Sequence, residues 1–428
     1  MHMTETTKQE IIDYFSSHKD SQGVPNIRHR EWIRLTEKYS KDEIRTALAE
    51  YIISNDIPFP FRPMDRIEVK RLMNKFYRKS MLNEYKDFDV VEERYGYKYK
   101  YEDSPLGVID KTNAYNNVSD YFQQSNRLAC GSWSSASPID IWNSQEKLEK
   151  MNWHFWRSGV MGDADLDGKA FRTGFRLGTY TATQFRPTVA KALYEKHLAK
   201  NVLDTSCGWG DRLAGFYATK NTELYVGCDP NPNVFKVYKE QCVAYEEFLT
   251  GKTPTLIVAE NYFECIGSKT VKIWNLPSED VDWTQYENLF DLYFTSPPYF
   301  ETEKYATDTD KSENQSWSRY NSFDRWKYDF FFKVTEMVWP TIRKNGFMMI
   351  NIIEPGSKGK RFNLCDDMVD TFSSFENCHY IGKIGMRMMA RPNTEELSSV
   401  FIEPIWTFRR DTSNYEFNEK STLDEFFC

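Results

Sequence analysis

Short apolar runs alternate with stretches of helical periodicity from about residue 168 onward, and this alternation limits the possible folds more than any other feature of the chain. Five runs are mostly apolar and are predicted to be strands: NVLDTS (201–206), ELYVGCD (223–229), TLIVAE (255–260), FDLYFTS ending at Ser296, and GFMMINII (346–353). Strands of this kind are typical of a parallel sheet that helices cover on both faces. Helical patterns such as PTVAKALYEKHLA (187–199) lie between them. The sequence therefore predicts a doubly wound α/β domain.

The two ends of the chain differ from this central part. HYIGKIGMRMM and SVFIEPIWTFR are predicted to close the sheet as a pair of strands. The N-terminal region is charged, aromatic and helix-rich, and SKDEIRTALAEYIISN begins with a capping-box pattern formed by Ser40 and Glu43. We therefore predict a largely helical N-terminal region over 1–165, the α/β domain over 166–410 and a C-terminal tail over 411–428.

Composition excludes several classes of protein. The length of 428 residues is enough for two or three domains of about 150 residues each. A net charge of −8 argues against a surface coated in positive charge for nucleic acid, although a local basic stripe could serve. The eight cysteines form no CxxC pair and have no histidine at ligand spacing, so neither a zinc site nor a disulfide framework is predicted. With no long apolar segment, we expect a soluble cytoplasmic protein with no membrane partner.

The residues after the first two predicted strands indicate a nucleoside site, because ligands of such sheets bind beyond the carboxyl ends of the strands. Gly208 and Gly210 form a tight turn that lets the backbone approach a ligand. Asp229 follows the second strand, where an acid can accept hydrogen bonds from ribose hydroxyls. Position 213 is a leucine, whereas a dinucleotide fingerprint needs a glycine or alanine there, and no GxxxxGK[ST] loop exists. This combination favours S-adenosylmethionine, which has a ribose but no phosphate chain.

The sequence TSPPY (295–299) follows the fourth predicted strand and indicates an acceptor site. Pro297 and Pro298 fix their own φ and carry no N–H, so their carbonyl oxygens have no competing donors. Ser296 and the Pro297 carbonyl could both accept hydrogen bonds from one planar NH₂ group while Tyr299 stacks on the ring that carries it. Accepting those protons from fixed directions aims the nitrogen lone pair at an electrophile. The pattern therefore predicts group transfer to an amine by positioning and electrostatic help.

Several of these stretches resemble one enzyme family. LDTSCGWGD, Asp229 and TSPPYFETEKY resemble motifs I, II and IV of the amino-methyltransferases that modify cytosine N4 or adenine N6 in DNA. TATQFRPTVAKAL resembles the cofactor motif that can precede motif I, and the resemblance covers about residues 180 to 408. It implies a Rossmann-like class I methyltransferase sheet, S-adenosylmethionine as cofactor, DNA as partner and a flipped base as target.

The resemblance also assigns residues to the site. It implies cofactor contacts from eight residues: Phe185, Arg186, Asp204, Cys207, Gly208, Gly210, Asp229 and Glu260, the last after the third strand and near the adenine. It implies a catalytic pocket made of Ser296, Pro297, Pro298 and Tyr299. SPPY is the form usually associated with cytosine N4, which favours that base and leaves adenine N6 open.

Two further segments are candidates for nucleic-acid contact. RIEVKRLMNKFYRK (66–79) is either the solvated face of a helix whose Ile67, Leu72 and Phe76 face the core, or a phosphate-binding element. Its predicted contacts are Lys70, Arg71, Arg78 and Lys79. The polar and aromatic segment after Tyr299 is either a surface insertion or a lid over a flipped base. The lid's predicted stacking residues are Phe300, Tyr305, Trp317 and Tyr320.

Other functions remain open. A transferase of the same fold could act on RNA, on a protein amide, or add a larger group to a DNA base. A non-catalytic nucleic-acid-binding assembly subunit is a further alternative. Target recognition would come from the N-terminal region, a partner subunit or a homodimer. The biological setting, such as restriction–modification, is equally open.

Overall fold

A computed structural model describes residues 4–86, 94–95, 99–101, 105–109, 112–151, 164–305, 307, 312–357, 360–388 and 401–411. The chain forms two compact units that are interleaved in sequence. One comprises Met1–Met64 and Gln124–Thr183, and the other Asp65–Gln123 and Gln184–Cys428. By compactness, residues 65–123 therefore belong with the sheet, whereas the sequence groups them with the N-terminal region. Most of the predicted tail, residues 412–428, lies outside the described residues.

The helices are α1 (Glu5–Ser17), α2 (His29–Lys38), α3 (Lys41–Ser54), α4 (Arg66–Arg78), α5 (Asn117–Leu128), α6 (Pro138–Trp142), α7 (Gly168–Gly178), α8 (Pro187–Lys196), α9 (Asp211–Ala218), α10 (Pro232–Thr250), α11 (Ser316–Arg319), α12 (Phe323–Arg325), α13 (Lys333–Val338) and α14 (Cys365–Phe372). A π-helix covers Trp326–Phe332. Short 3₁₀ turns cover Leu82–Glu84, Ser278–Asp280, Thr284–Tyr286, Ser312–Asn314 and Trp339–Thr341. Among the helices in the described part of the chain, none combines the length and apolar character that a membrane span requires.

The strands are β1 (Tyr85–Lys86), β2 (Arg94–Tyr95), β3 (Pro105–Ile109), β4 (Asn201–Asp204), β5 (Leu224–Cys228), β6 (Thr255–Ala259), β7 (Tyr262–Ile266), β8 (Thr270–Trp274), β9 (Phe290–Thr295), β10 (Ile342–Asn351), β11 (Gly356–Ser357), β12 (Lys360–Arg361), β13 (Cys378–Arg387) and β14 (Phe401–Arg410).

The first unit is helical, as expected for the N-terminal region. The capping box of α3 is present, because Ser40 Oγ accepts from Glu43 N and the Glu43 carboxylate accepts from Ser40 N. The core of this unit includes Phe15, Trp32 and Trp142. The Trp142 indole N–H is buried and donates to the Ile57 carbonyl at 2.8 Å. Apolar helix faces and satisfied polar groups therefore account for this unit's packing.

The second unit contains a twelve-stranded sheet with a doubly wound centre. Five parallel strands run in the order β8-β5-β4-β9-β10, which by position along the chain is 3-2-1-4-5, the order of the Rossmann sheet. The predicted closing pair follows, with β14 antiparallel between β10 and β13. Both faces are covered: α8 and α9 pack together on one side, and the π-helix, α13 and α14 pack on the other. The predicted doubly wound, Rossmann-like fold is confirmed.

One strand assignment needs correction. TLIVA forms β6, but β6 lies at the edge of the sheet and pairs only with β7 in an antiparallel hairpin. The third parallel strand is β8, which the sequence reading missed because Lys272 interrupts its apolar run. The apolar run of β6 suggested a buried strand, yet all five of its residues are exposed. Consequently Glu260 follows an edge strand and not the third strand of the parallel sheet.

Candidate cofactor and acceptor site

A cleft of about 660 Å³, partly open to solvent, lies at the carboxyl ends of four parallel strands. Gly208 follows β4 and Asp229 follows β5, while Ser278 and Glu279 follow β8. Ser296 and Pro298 follow β9 and line the same cleft. This position is the one where doubly wound sheets bind ligands.

The turn after β4 contributes Ser206, Gly208 and Trp209 to the lining of the cleft. Gly208 has φ of +56° and Gly210 has φ of +70°, in the region that glycine adopts at little steric cost. A Cβ at Gly210 would collide with the side-chain amide of Gln241, so this turn needs glycine for space as well as for conformation. Gly210 lies under the turn and is the N-cap of α9.

Asp229 faces the cleft and is held by backbone donors. Its Oδ2 accepts from Gly208 N and its Oδ1 accepts from Asn231 N, both at 2.9 Å. Burial raises the pKa of the Asp229 carboxyl to about 6, and the two backbone hydrogen bonds oppose that rise. The carboxylate is therefore mostly ionised at neutral pH and can accept hydrogen bonds from ligand hydroxyls.

Asp204 lies beneath the turn and is not among the residues that line the cleft. It is fully buried, pairs with Arg212 at 2.7 Å, and accepts a 2.7 Å hydrogen bond from the Tyr225 hydroxyl. Arg212 also donates to the Ser206 carbonyl. Asp204 thus positions the turn through Arg212, and direct contact with a cofactor is not supported.

Cys207 is also packed under the turn. Its side chain is buried against Gly227, which has no Cβ to exclude it. Burial raises the pKa of the Cys207 thiol well above its ordinary value. A thiol in this environment is a packing group and not a nucleophile.

The cleft also contains polar residues that the sequence reading missed. Glu279 Oε1 accepts from the Tyr320 hydroxyl at 2.6 Å and from Arg319 at 3.2 Å. Three other buried polar atoms in the lining have no hydrogen-bond partner among the described residues: Glu279 Oε2, Gln315 Nε2 and Ser316 Oγ. Recognition of β8 would have revealed Glu279, because NLPSED comes directly after that strand. An acceptor and a donor of this kind match the amino group and a ring nitrogen of adenine.

The acceptor motif is divided between the cleft and a neighbouring polar cluster. Ser296 and Pro298 line the cleft, whereas Pro297 is buried behind them. Tyr299 is not in the lining, and its hydroxyl donates to Glu403 Oε1 at 2.6 Å. The Tyr299 hydroxyl also lies 3.3 Å from the Asn351 carbonyl. Asn351 ends β10 and Glu403 lies in β14, so only the sheet register brings them to this motif.

Phe185 and Arg186, which directly precede α8, lie near the glycine turn and the acceptor motif, but neither residue lines the cleft. The Phe185 ring packs edge-on against Phe294 at 5.6 Å and lies 5.3 Å from the Arg212 guanidinium. Arg186 is buried, and its charge acts on Glu403. Glu260 is exposed and does not line the cleft, as its edge position requires.

The predicted phosphate-binding residues lie on α4 or directly after it. Lys70, Arg71 and Arg78 are exposed on α4, and Lys79 after it pairs with Glu84 at 3.1 Å. The buried residues of α4 are Val69, Met73 and Phe76, while Ile67 is 60% exposed, so the predicted core face was partly wrong.

Helix α4 lies at the amino end of the parallel strands, opposite the cleft. Asn74 donates to the Phe248 carbonyl at 2.9 Å, and Phe248 is in the last turn of α10. Tyr77 lines a second cavity together with Lys200 and Glu223, which precede β4 and β5. Since a four- or five-residue strand spans roughly 13–17 Å, this helix is remote from Ser296.

The segment after Tyr299 contributes Tyr305 and, further along, Asn314, Gln315 and Ser316 to the cleft lining. Tyr305 lines the cleft, and its ring lies 5.7 Å from that of Trp209. Phe300 and Tyr320 are buried, so neither is available to stack on a base. Trp317 donates to the Tyr305 carbonyl at 3.0 Å. Residues 306 and 308–311 of the predicted lid lie outside the described residues.

Within the described residues, no group of three or more His, Cys, Asp or Glu side chains is arranged to hold a metal ion.

Comparisons with known proteins give only distant similarities. No protein-family model and no curated protein sequence matches the chain. A putative S-adenosylmethionine-dependent methyltransferase from Listeria monocytogenes is 8% identical, with a TM-score of 0.30, covering 52% of this chain and 99% of its own. Trm1 from Pyrococcus horikoshii, solved with S-adenosyl-L-methionine, is 11% identical, with a TM-score of 0.31, covering 53% of this chain and 56% of its own.

A third similar structure is the N-methyltransferase NodS from Bradyrhizobium japonicum, at 8% identity and a TM-score of 0.30, covering 52% of this chain and 94% of its own. These values are too low to assign an activity or a ligand. The strand order and the position of the cleft place the chain in the doubly wound, Rossmann-like α/β class to which class I methyltransferases belong.

Proposed function

We propose that this chain is an S-adenosylmethionine-dependent methyltransferase that methylates the exocyclic amine of a flipped DNA base, with cytosine N4 favoured and adenine N6 open. One observation carries the proposal: the glycine turn with Asp229 and the serine–proline turn line the same cleft. The first set suits a nucleoside and the second suits an amine. Their meeting in one cleft supports transfer from one to the other.

The charge of the cleft supports a sulfonium cofactor. Two lining residues, Asp229 and Glu279, are acidic, and none of the lining residues that the structure describes is basic. A site for a dinucleotide or a nucleoside triphosphate needs donors or cations for its phosphates. An acidic cleft instead favours a cation with a ribose and no phosphate.

The residues present fit this cofactor in detail. Asp229 would accept from the ribose hydroxyls, and Glu279 and Gln315 would pair with the adenine edge. Gly208 leaves room for close approach by the ligand, since it has no side chain. S-adenosylmethionine supplies an electrophilic methyl group when bound.

The acceptor motif supplies orientation. Ser296 Oγ, which lines the cleft, would accept one proton of the amine, and the resemblance of the SPPY segment assigns the second acceptor to the carbonyl of Pro297, a buried residue just behind the lining. Two fixed acceptors would direct the nitrogen lone pair. The hydrogen bond from Tyr299 to Glu403 fixes the ring of Tyr299 beside the motif. Both contributions are positional and electrostatic, so no strong base is required before attack.

DNA as substrate rests on the resemblance of the SPPY segment, and the region over 1–165 is proposed to recognise the target or to bind a partner subunit. RNA, a protein amide or a larger transferred group would use the same cleft, so these alternatives are outcomes of the test. The non-catalytic alternative is disfavoured, because a subunit without chemistry has no need for a cleft lined by both motifs.

The test is transfer of labelled methyl from S-adenosylmethionine to unmodified mixed-sequence DNA, followed by digestion and mass identification of the labelled nucleoside. We expect label in N4-methylcytosine or N6-methyladenine. Ser296→Ala should lower transfer about 100-fold while the cofactor Kd stays within about twofold. Ser318→Ala, an exposed serine on α11, is the matched control.

Each other outcome has a definite meaning. Label in RNA or protein and not in DNA would replace the substrate and keep the reaction class. If the protein does not bind S-adenosylmethionine, the whole proposal is contradicted, and a non-catalytic nucleic-acid-binding subunit becomes the favoured alternative.

A further inference from the structure

The edge strand β6 has one unpaired side. Among the described strands, β6 lies at one end of the sheet and pairs with β7 alone. In an antiparallel ladder, alternate residues direct their N–H and C=O groups to the paired neighbour, and the residues between them direct these groups away. The outer side of β6 therefore presents backbone donors and acceptors to a further strand.

The side chains of β6 are exposed as well. All five residues of the strand are exposed, and Leu256, Ile257 and Val258 among them are apolar. Successive side chains of a strand point to opposite faces, so exposed apolar groups are present on both faces of this edge. Burial of these groups would stabilise a complex in which a second strand extends the sheet.

Two charged residues flank β6. Lys252 precedes the strand and Glu260 follows it directly, and both are exposed. Neither side chain has an ion-pair partner among the described residues. Every second side chain of an extended chain points to the same face, and the set that contains both charges is Lys252, Pro254, Leu256, Val258 and Glu260. This face therefore has a cation at one end, an anion at the other and apolar groups between them.

This order of side chains is complementary to itself. When two copies of the strand run antiparallel about a two-fold axis at Leu256, Lys252 of each copy lies opposite Glu260 of the other. Leu256 then lies opposite its own counterpart, and Pro254 lies opposite Val258. Opposite charges and apolar side chains directly across an antiparallel pair are stabilising, and a two-fold interface requires such self-complementarity. A parallel arrangement in register would instead place like charges side by side.

We propose that β6 is an interaction surface for a second copy of this chain, with the two β6 strands antiparallel and the two sheets joined into one. The interface consists of the main-chain groups of both edges, the apolar residues of β6 and two ion pairs between Lys252 and Glu260. No residue of β6 belongs to the cleft lining that the structure describes, so this inference does not depend on the proposed activity. It gives Glu260 a role that the cleft does not.

The first test is sedimentation of the full chain over a range of concentrations. Wild type should form a dimer. Lys252→Glu and Glu260→Lys should each weaken dimerisation about tenfold, because each substitution places like charges opposite one another at both ends of the interface.

The double variant Lys252→Glu with Glu260→Lys is the matched control. It exchanges the two charges, so opposite charges again face each other, and its net charge of −8 equals that of wild type. We expect its dimerisation constant to lie within about threefold of the wild-type value. A folding defect in either single variant would persist in the double variant and is thereby recognised.

The second test mixes the two single variants in equal amounts. Lys252→Glu leaves two acidic groups on the face, and Glu260→Lys leaves two basic groups, so one copy of each forms two attractive pairs. The mixture should therefore dimerise at concentrations at which each variant alone stays monomeric. A general effect of net charge cannot give this result, because both variants remain negatively charged overall.

The third test measures amide hydrogen exchange. In wild type, exchange over 255–259 should slow as the protein concentration rises, because the outer N–H groups of β6 become hydrogen-bonded in the dimer. Strand β7 is already paired on both sides, with β6 and β8, so its exchange should not depend on concentration.

Three results would overturn the inference. One is a wild-type chain that stays monomeric at all concentrations with unchanged exchange in β6. Another is dimerisation of both single variants with the wild-type constant, which would place the interface elsewhere. The third is failure of both the double variant and the mixture to restore dimerisation. None of these measurements uses methyl transfer, so failure here is distinguishable from failure of the proposed function.

Discussion

At the residue scale, Asp229 combines two properties that binding requires. Its carboxylate is fixed by Gly208 N and Asn231 N and still faces the cleft. Its pKa of about 6 means that it changes charge close to neutral pH. A ligand that needs two acceptor oxygens from Asp229 will therefore bind in a pH-dependent manner.

We expect Asp229→Asn to weaken binding of S-adenosylhomocysteine about 10- to 100-fold, because hydrogen bonds to a charged acceptor are worth more than those to an amide. The wild-type Kd should rise as pH falls below about 6, since protonation removes the charged acceptor. Titration calorimetry from pH 5 to pH 8 measures both effects. A wild-type Kd that is constant over this range would contradict the assignment of Asp229.

At the element scale, the edge strand β6 is unusual. Leu256, Ile257 and Val258 are 39%, 50% and 54% exposed, and β6 contains no charged residue. Its pairing with β7 is regular, without a bulge. Proteins normally protect such an edge with charges, prolines or bulges, because its unpaired backbone groups can pair with another chain.

We expect Val258→Lys to reduce concentration-dependent self-association, measured by light scattering or sedimentation, with a change in stability of about 0.5 kcal/mol or less. Ile67→Lys is the matched control, because Ile67 is 60% exposed on α4 and a helix presents no unpaired edge. Equal effects of both substitutions would show that exposed apolar area, and not the strand edge, drives association.

Strand β6 also shows which features of the fold could be predicted from the sequence and which could not. The glycine turn, the acid after β5 and the SPPY turn were recognisable, since each depends on residues within a short segment. TLIVA was correctly read as a strand, but its exposure depends on which strands flank it, and that is a long-range property. Because buried and half-buried residues alternate in β8, its sequence did not identify it as the third parallel strand. Glu279, which follows β8, was missed for the same reason.

Contacts that depend on the sheet register could not be predicted from the sequence, because they too are long-range. Glu403 is separated from Tyr299 by about a hundred residues, and only the pairing of β14 with β10 brings them together. A glutamate within the apolar run SVFIEPIWTFR was the available signal, because an acid on a buried strand needs a partner.

At the scale of the sheet-containing unit, charge is distributed unevenly between the two ends of the parallel strands. The cleft at the carboxyl end is acidic, whereas α4 at the amino end carries exposed Lys70, Arg71 and Arg78. The exposed cations of α4 would attract a polyanion. If DNA is the substrate, α4 can contribute to affinity through phosphate contacts that are remote from the reacting base.

We expect the double variant Lys70→Glu with Arg71→Glu to weaken binding of duplex DNA without regard to its sequence. The slope of log affinity against log salt should decrease by about 2, since each lost phosphate contact removes about one released counterion. The cofactor Kd should not change, because α4 lies at the opposite end of the strands from the cleft. Binding at several salt concentrations, measured by fluorescence anisotropy, checks the slope.

Lys333→Glu with Lys344→Glu makes the matched control, because both lysines are exposed on other elements and the change in net charge is identical. An equal loss of affinity in both double variants would mean that net charge alone governs binding. An unchanged slope in the α4 variant would exclude α4 as a phosphate contact and leave DNA recognition to the N-terminal unit or to a partner. The two variants therefore separate a specific basic element from a general electrostatic effect.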